Sequence, residues 1–463
     1  MKQQIPPGQQ AIVIGASMAG LLTARVLANH YEQVTLLERD TFPAAGENRK
    51  GVPQGRHAHG LLASGLRIIE GHFPGLTGEL VSLGADFGDI SQKVYWHFEG
   101  SQHQPTLCGI EGIAVSRPLL EATIRRRLLA LPNVQVVEGC DVLGLLTTAD
   151  QRRVTGVQLI RRKAGSAAES LTADLIVDAS GRGSRSPAWL QGLGCERPAE
   201  ETVKIGLTYT SCHYRRRPEQ APGINVLFTD ATQDNRHMAA LLGQEGSRWI
   251  LTVSTFLGAP APTDHAGLLE YTRRLNSPAI YDIIRNAEPL HEPLLYKMPS
   301  NLRRRCERLA RFPQGYLIIG DALCSFNPIY TQGMSVAALE SVALEECLRQ
   351  GEAQLARRFF GQASRIIDLA WRMAVDSDLR FPDIEGPRSL MTRFTNWYLV
   401  RLHRAAHQDA AVSVAFLKVI NMLELPASLM QPGILWRVLR NNLHPRPGQL
   451  NANRRDVLAV DPG

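Results

Sequence analysis

The chain has 463 residues, 44% of them hydrophobic and 21% charged. This is the balance of a soluble globular protein with length for two or three domains and a large core, and it excludes a collagen-like, disulfide-stapled or globally disordered chain. The formal charge of +7 is localised: ten Lys/Arg and four Asp/Glu fall between Pro387 and Gly463, so +6 belongs to the C-terminal segment.

Lys2 ahead of the apolar run Ala11–Leu22 could be misread as an export signal. However, Pro6-Pro7-Gly8 intervenes, and the run continues with helical periodicity through Leu27. No stretch approaches the roughly 18 to 20 apolar residues that a membrane span requires. The first 40 residues predict strand 10–14, a glycine turn, helix 19–29 and strand 33–38, the βαβ opening of a doubly wound sheet. In Gly15-Ala16-Ser17-Met18-Ala19-Gly20 the first glycine permits the sharp turn and Gly20 lets the helix pack on the sheet. Ser17 is small enough for backbone amides to approach a pyrophosphate. Glu38, at the end of the second strand, is placed to accept hydrogen bonds from a ribose diol.

Further on, helices are predicted over 56–72 and 117–130, and strands over 134–137, 142–147, 154–161 and 173–177. Between about 200 and 296 the pattern changes to antiparallel strands at 203–210, 224–229, 238–242 and 248–256, with 243–246 as a hairpin turn. Their aromatic and apolar residues, Tyr209, Leu227, Phe228, Trp249 and Phe256, alternate between sheet faces. Tyr209, Phe228 and Trp249 are the candidates to face a substrate, together with His57. His57 and His59 stand two apart, a spacing that does not share a helix face, so metal chelation there is not expected. A buried strand at 315–319 is followed by a loop and a helix over 334–349, with Gly351 past its end. The remainder reads as helices punctuated by Pro382, Pro387, Pro426 and Pro432.

Gly320-Asp321-Ala322 follows the last strand, and Pro328-Ile329-Tyr330-Thr331-Gln332-Gly333 leads into the helix that starts at Met334. With the glycine loop and Glu38, these motifs resemble the p-hydroxybenzoate-hydroxylase-like superfamily, the group A flavoprotein monooxygenases. Thr331 replaces the first glycine of that family's P-x-x-G-Q-G, and Cys324 stands where many members have His. The resemblance assigns Gly15, Ala16, Ser17, Ala19, Gly20, Glu38, Arg39, Val142, Asp321, Pro328, Gly333 and Met334 to an FAD site. It adds Arg117, at the start of a helix, and Arg56, which matches a position that contacts the FAD phosphates. The stretch Gly51-Val52-Pro53-Gln54-Gly55-Arg56-His57-Ala58-His59-Gly60 resembles bacterial olefin epoxidases of polyether biosynthesis, relatives of squalene epoxidase. Asp178-Ala179-Ser180-Gly181-Arg182-Gly183-Ser184 departs from the family's D-G-x-x-S: the carboxylate moves to Asp178. A strand-end loop explains this, as does different handling of NADPH or supply of reduced flavin by a separate reductase.

The resemblance implies an α/β fold: a discontinuous Rossmann-like FAD-binding domain (1–75, 105–195 and 300–350), an inserted antiparallel-sheet substrate domain (76–104 and 196–299) and a C-terminal helical segment (351–463). It implies a monooxygenase using FAD, O2 as co-substrate, and NADPH or an external flavin reductase, which transfers oxygen through a flavin C4a-hydroperoxide to an apolar isoprenoid- or polyketide-like substrate by epoxidation or hydroxylation. Catalytic side chains are not assigned, because the flavin carries the chemistry. The alternatives are a flavin-dependent halogenase, against which the absence of W-x-W-x-I-P counts, an FAD-dependent prenyl reductase or cyclase-type enzyme, and a non-catalytic flavin-binding protein.

The arginine triplets at 125–127, 215–217 and 303–305 lie in different elements without interleaved aromatics, so no nucleic-acid partner is expected. Seven cysteines never spaced as CxxC point away from structural zinc, no metal is expected, and a cytoplasmic setting is predicted. In the C-terminal helices Phe394, Trp397, Tyr398, Leu402, Phe416, Ile420, Leu423, Ile434, Leu435, Trp436 and Leu439 fall at helical spacings. They form either core over the substrate module or, with the basic excess, a peripheral membrane contact.

Overall fold

A computed structural model describes residues 8–43 and 46–443; Arg446, Arg454, Arg455, Asp456 and Asp461 of the charged segment lie outside the described residues. A parallel sheet of five strands runs in the order β11 (Tyr316–Ile318), β5 (Leu175–Asp178), β1 (Gly8–Ile14), β2 (Tyr31–Leu37), β4 (Val134–Val137). Its strands are short apolar runs because the sheet is covered on both faces. Helix α1 (Met18–Leu27) packs with α2 (Arg117–Leu129) and α3 (Gly333–Leu348), and a three-stranded antiparallel sheet spanning residues 140–172 adjoins β5. The middle strands come from distant stretches of chain, so the carboxyl ends of β1, β5 and β11 meet at one edge although their residues lie about 300 positions apart.

The second sheet has eight strands. Its core is β10 (Leu294–Arg304), β6 (Glu200–Arg215), β9 (Arg248–Thr255), β8 (Met238–Gln244), β7 (Val226–Thr229) and β3 (Val94–Phe98), in that order. All pairings are antiparallel except β7 with β3. The hairpin between β8 and β9 turns at Gly246 and Ser247, both at positive φ. Helices His265–Arg273 and Ala279–Ile284 cover its back face and bury Tyr214, Leu227, Trp249, Leu251, Leu268 and Ile280. These two helices were not predicted: at nine and six residues they are too short to show a clear period.

The predicted helix 56–72 divides. A 3₁₀ turn (Pro53–Arg56) leads into extended chain, and the helix starts at Ala63. The extended stretch is held from outside: the Ala58 amide donates to Thr252 Oγ1 (2.9 Å), and His57 Nδ1 lies 2.8 Å from Ser211 Oγ. After α3 come α4 (Leu355–Asp378), α5 (Leu390–Ala406), α6 (Ala410–Ile420) and α7 (Pro432–Leu443). Their apolar stripes split: Tyr398, Leu402 and Phe416 are buried against β3, whereas Phe394, Trp397, Trp436 and Leu439 are exposed.

Candidate active site

At the first β–α turn Gly15 sits at φ +96°, and a Cβ on Gly20 would collide with the Gly15 carbonyl oxygen. Ser17 occupies the N-cap of α1 but caps nothing. Its hydroxyl donates instead to Glu121 (2.9 Å) and accepts from Arg117 (2.9 Å). The first amides of α1 therefore have no side-chain acceptor and no acidic neighbour in the first turn, which leaves them for an anion. Glu38 is buried beside this turn. It accepts from the amides of Ala16 (2.9 Å) and Asp40 (3.0 Å) and pairs with Arg49 at 2.7 Å. Among the described residues its Oε1 accepts only from the Asp40 amide, leaving lone-pair capacity for a hydroxyl.

Arg49 and Glu121 tie this turn together without belonging to any of the motifs. Arg49 bridges Glu38 and Glu121 and donates to the Ala16 carbonyl (3.0 Å). Glu121 lies one helical turn from Arg117 and pairs with it at 3.0 Å. Both arginines hold the Glu121 carboxyl below its ordinary range, against the effect of burial. Only the i,i+4 spacing of Arg117 and Glu121 could have indicated this network.

The second motif meets the first. A Cβ on Gly320, itself at φ +65°, would come within 2.6 Å of the Ala19 Cβ, so the loop after β11 packs directly on the start of α1. Asp321 is exposed there, and its Oδ1 is 3.8 Å from where a Gly333 Cβ would lie. Beneath it Glu340 is fully buried and accepts from the Gly320 amide (2.7 Å); burial pushes its carboxyl up to about 8. Helix α3 starts at Gly333 with no side-chain cap and no acid in its first turn. Gln332, just before it, is buried with its Oε1 unpaired. The turn Pro328–Tyr330 ahead of it is anchored by Asp378 at the end of α4, which accepts from Asn327 (2.7 Å), Tyr330 (2.8 Å) and Asn301 (2.7 Å).

A cavity of about 1030 Å³ opens from this point, between the front face of the second sheet and the C-terminal helices. Gly60, Pro328, Thr331 and Gln332 border it at the cofactor end; Tyr209, Phe228, Met238, Leu399 and Phe416 are among its apolar walls. Its charged lining includes Arg380, clamped on Asp230 by two bonds of 2.7 Å.

The candidates are thus partly assembled. Gly15 to Gly20, Glu38, Arg117 and the Gly320–Asp321 loop come together in one groove, with Asp321 beside Gly333; Pro328, Tyr209 and Phe228 line the cavity, and Met334 is buried. Trp249 is corrected: five residues along β9 from Ser254, which lines the cavity, it points to the opposite face and stacks under Arg216 at 4.2 Å. His57 is also not on the wall. It is buried behind it, 5.5 Å from the Tyr296 ring, while its neighbour His59 borders the cavity. Arg39 and Arg56 are exposed, and Val142 is half-buried against the main core. Asp178, the displaced carboxylate, is fully buried and accepts from the Ser180 amide (2.9 Å), Ser184 (2.6 Å) and Ser186, so it serves its own turn.

Two helix starts with free amides, a carboxylate beside the first and a buried unpaired amide oxygen beside the second are a donor and acceptor set that fits FAD: pyrophosphate at α1, ribose at Glu38, ribityl chain at Asp321 and ring edge at Gln332–Gly333.

No family model matches the chain. It is 32% identical over 455 residues to Protein Rv3254 of Mycobacterium tuberculosis (strain ATCC 25618 / H37Rv), with 94% of each chain covered. It is 27% identical over 357 residues to a kynurenine 3-monooxygenase of Salinispora tropica, covering 73% of this chain and 72% of that one. Among solved structures, that of the flavin-dependent brominase Bmp2 superposes with a TM-score of 0.65 over 94% of this chain and 98% of that chain. At 16% identity this is a likeness of fold.

Proposed function

We propose that this chain is an FAD-dependent monooxygenase of p-hydroxybenzoate-hydroxylase type and transfers an oxygen atom from O2 to a large apolar substrate of isoprenoid or polyketide character, by epoxidation or hydroxylation. The observation that carries the reading is the cavity: about 1030 Å³ of mainly apolar lining that begins at the unpaired Gln332 and the start of α3. Bound FAD, once reduced by NAD(P)H or a reductase, supplies the activation of O2. The other oxygen atom leaves as water, which balances the two electrons delivered.

The chain's own residues position and shield. The amides at the start of α3 favour negative charge beside them through the helix dipole. Tyr209 and Phe228 set the floor on which an apolar substrate lies, and the C-terminal helices roof it and exclude water. The Arg380–Asp230 pair gives a polar substituent an anchor, since Arg380 Nε is buried without a partner.

The test is oxygen consumption by the FAD-loaded protein with NADPH, or with a flavin reductase, against a panel of detergent-solubilised isoprenoids and polycyclic polyketides. Labelled O2 should yield a product carrying one labelled oxygen. Failure of every reductant and candidate to drive O2 uptake, or a halogenated product formed only with halide, would overturn the reading.

A further inference from the structure

We propose that the exposed apolar collar at the mouth of the cavity docks on an anionic phospholipid surface, and that the apolar substrate enters from there. The second half rests on the monooxygenase reading; the docking itself does not.

Four side chains make the link. Met391, Phe394, Leu425 and Met430 each line the cavity and are each exposed on the outer surface. The cavity wall and the protein surface are therefore the same residues at this point, where α5 meets the turn Pro426–Met430. Around them the apolar surface continues: Leu390 is 85% exposed, and Trp397 follows one helical turn after Phe394. Helix α7 packs on α5 and on that turn, yet buries only Val438 and leaves Trp436 65% and Leu443 74% exposed, with Leu439 between them. Helices that bury one face and present Trp, Leu and Met on the other are built to be covered.

Charge says by what. Residues 388–443 hold seven Lys/Arg and two Asp/Glu. The two carboxylates are already taken: Asp409 by Arg437 and Arg440, Glu424 by Lys418. Arg401 lies over the Trp397 ring at 3.8 Å, Arg393 is exposed on α5, and exposed Arg404 stands 3.9 Å from Glu99. A second copy of the chain would bring this positive surface against itself. An anionic headgroup layer satisfies the guanidinium groups while its acyl region receives the tryptophans and leucines. Among the described residues no helix is long and apolar enough to cross a membrane, so the contact is with the interface.

The experiment is co-sedimentation of the full FAD-loaded chain with vesicles of phosphatidylcholine alone and of phosphatidylcholine with phosphatidylglycerol, at low and high salt, with tryptophan emission recorded. Binding should require the anionic lipid, reverse in high salt and shift emission to the blue. Leu390→Ser with Trp436→Ser, and separately Arg393→Glu with Arg404→Glu, should each weaken partition roughly tenfold or more. Their melting temperatures and flavin content should be unchanged, because these side chains are exposed and outside the cofactor groove. No sedimentation at low salt overturns the proposal, and so does salt-insensitive binding to neutral vesicles. A dimer that these substitutions dissolve, without vesicle binding, assigns the collar to a second copy instead. Absence of O2 uptake with detergent-solubilised substrate would count against the monooxygenase reading and leave vesicle binding untouched.

Discussion

Thr331 is the residue at which local preference and fold disagree. It follows the short turn Pro328–Tyr330 at φ +54°, a left-handed conformation that a β-branched side chain resists by about 1–2 kcal/mol. Its side chain fills the space where Gly60 has no Cβ: one built there would stand 2.9 Å from Thr331 Cγ2. Thr331→Gly should relieve the strain, with roughly half returned through the greater freedom of glycine in the unfolded chain. The expected net effect is a stabilisation of about 0.5–1 kcal/mol, read as a rise in melting temperature by calorimetry of the holo protein. A fall would show that packing against Gly60 outweighs the backbone cost.

At the scale of elements, the helix starts are what the sequence made legible, and their supports are what it hid. Gly15 to Gly20 and Gly320 to Gly333 are contiguous motifs, so strand, turn and helix could be placed from composition and period alone. Glu38 could be placed because it closes the second strand. Arg49 and Asp378 could not: each acts across the fold, Arg49 through Glu38 and Glu121, Asp378 through Asn301, Asn327 and Tyr330. Trp249 faces away from the cavity for a related reason: period 2 shows that faces alternate but not which face helices cover. The support by Asp378 has a measurable consequence. It is fully buried and holds three donors, so Asp378→Ala strands them and should cost about 2–4 kcal/mol. Because those donors fix the turn before α3, flavin should also dissociate faster, measured as the recovery of free-flavin fluorescence on dilution. Unchanged flavin release with lowered stability would confine Asp378 to a structural part.

For the whole molecule, the seam between the second sheet and the C-terminal helices should make stability sensitive to acid. His97 and His103 from the sheet side meet His403 and His407 from α5 and its end, around Phe98 and Phe416. His103 Nε2 lies 3.1 Å from His403 Nδ1, His403 stacks on Phe98 at 4.5 Å, and His407 Nε2 lies 2.9 Å from the Phe98 carbonyl oxygen. Burial pushes His403 down to about 3 and His97 to about 4, and holds His103 well below its ordinary value. Among the neighbouring charges, Arg380 lowers His403 further and Arg404 lowers His407, whereas Asp230 raises His97 slightly. These imidazoles are neutral in the folded protein at pH 7. In the unfolded chain they take up protons near pH 6.5, so between about 6.5 and 4 the unfolded state binds more protons, and stability falls as pH falls. Each such histidine contributes up to about 1.4 kcal/mol per pH unit in that window. The melting temperature should be flat from pH 8 to 7 and drop steeply between 6.5 and 5. His403→Gln offers both a donor and an acceptor to His103 but does not titrate, so it should remove about one proton's share of the slope. A slope left unchanged by that substitution would place the acid sensitivity elsewhere than in the seam that closes the roof of the cavity.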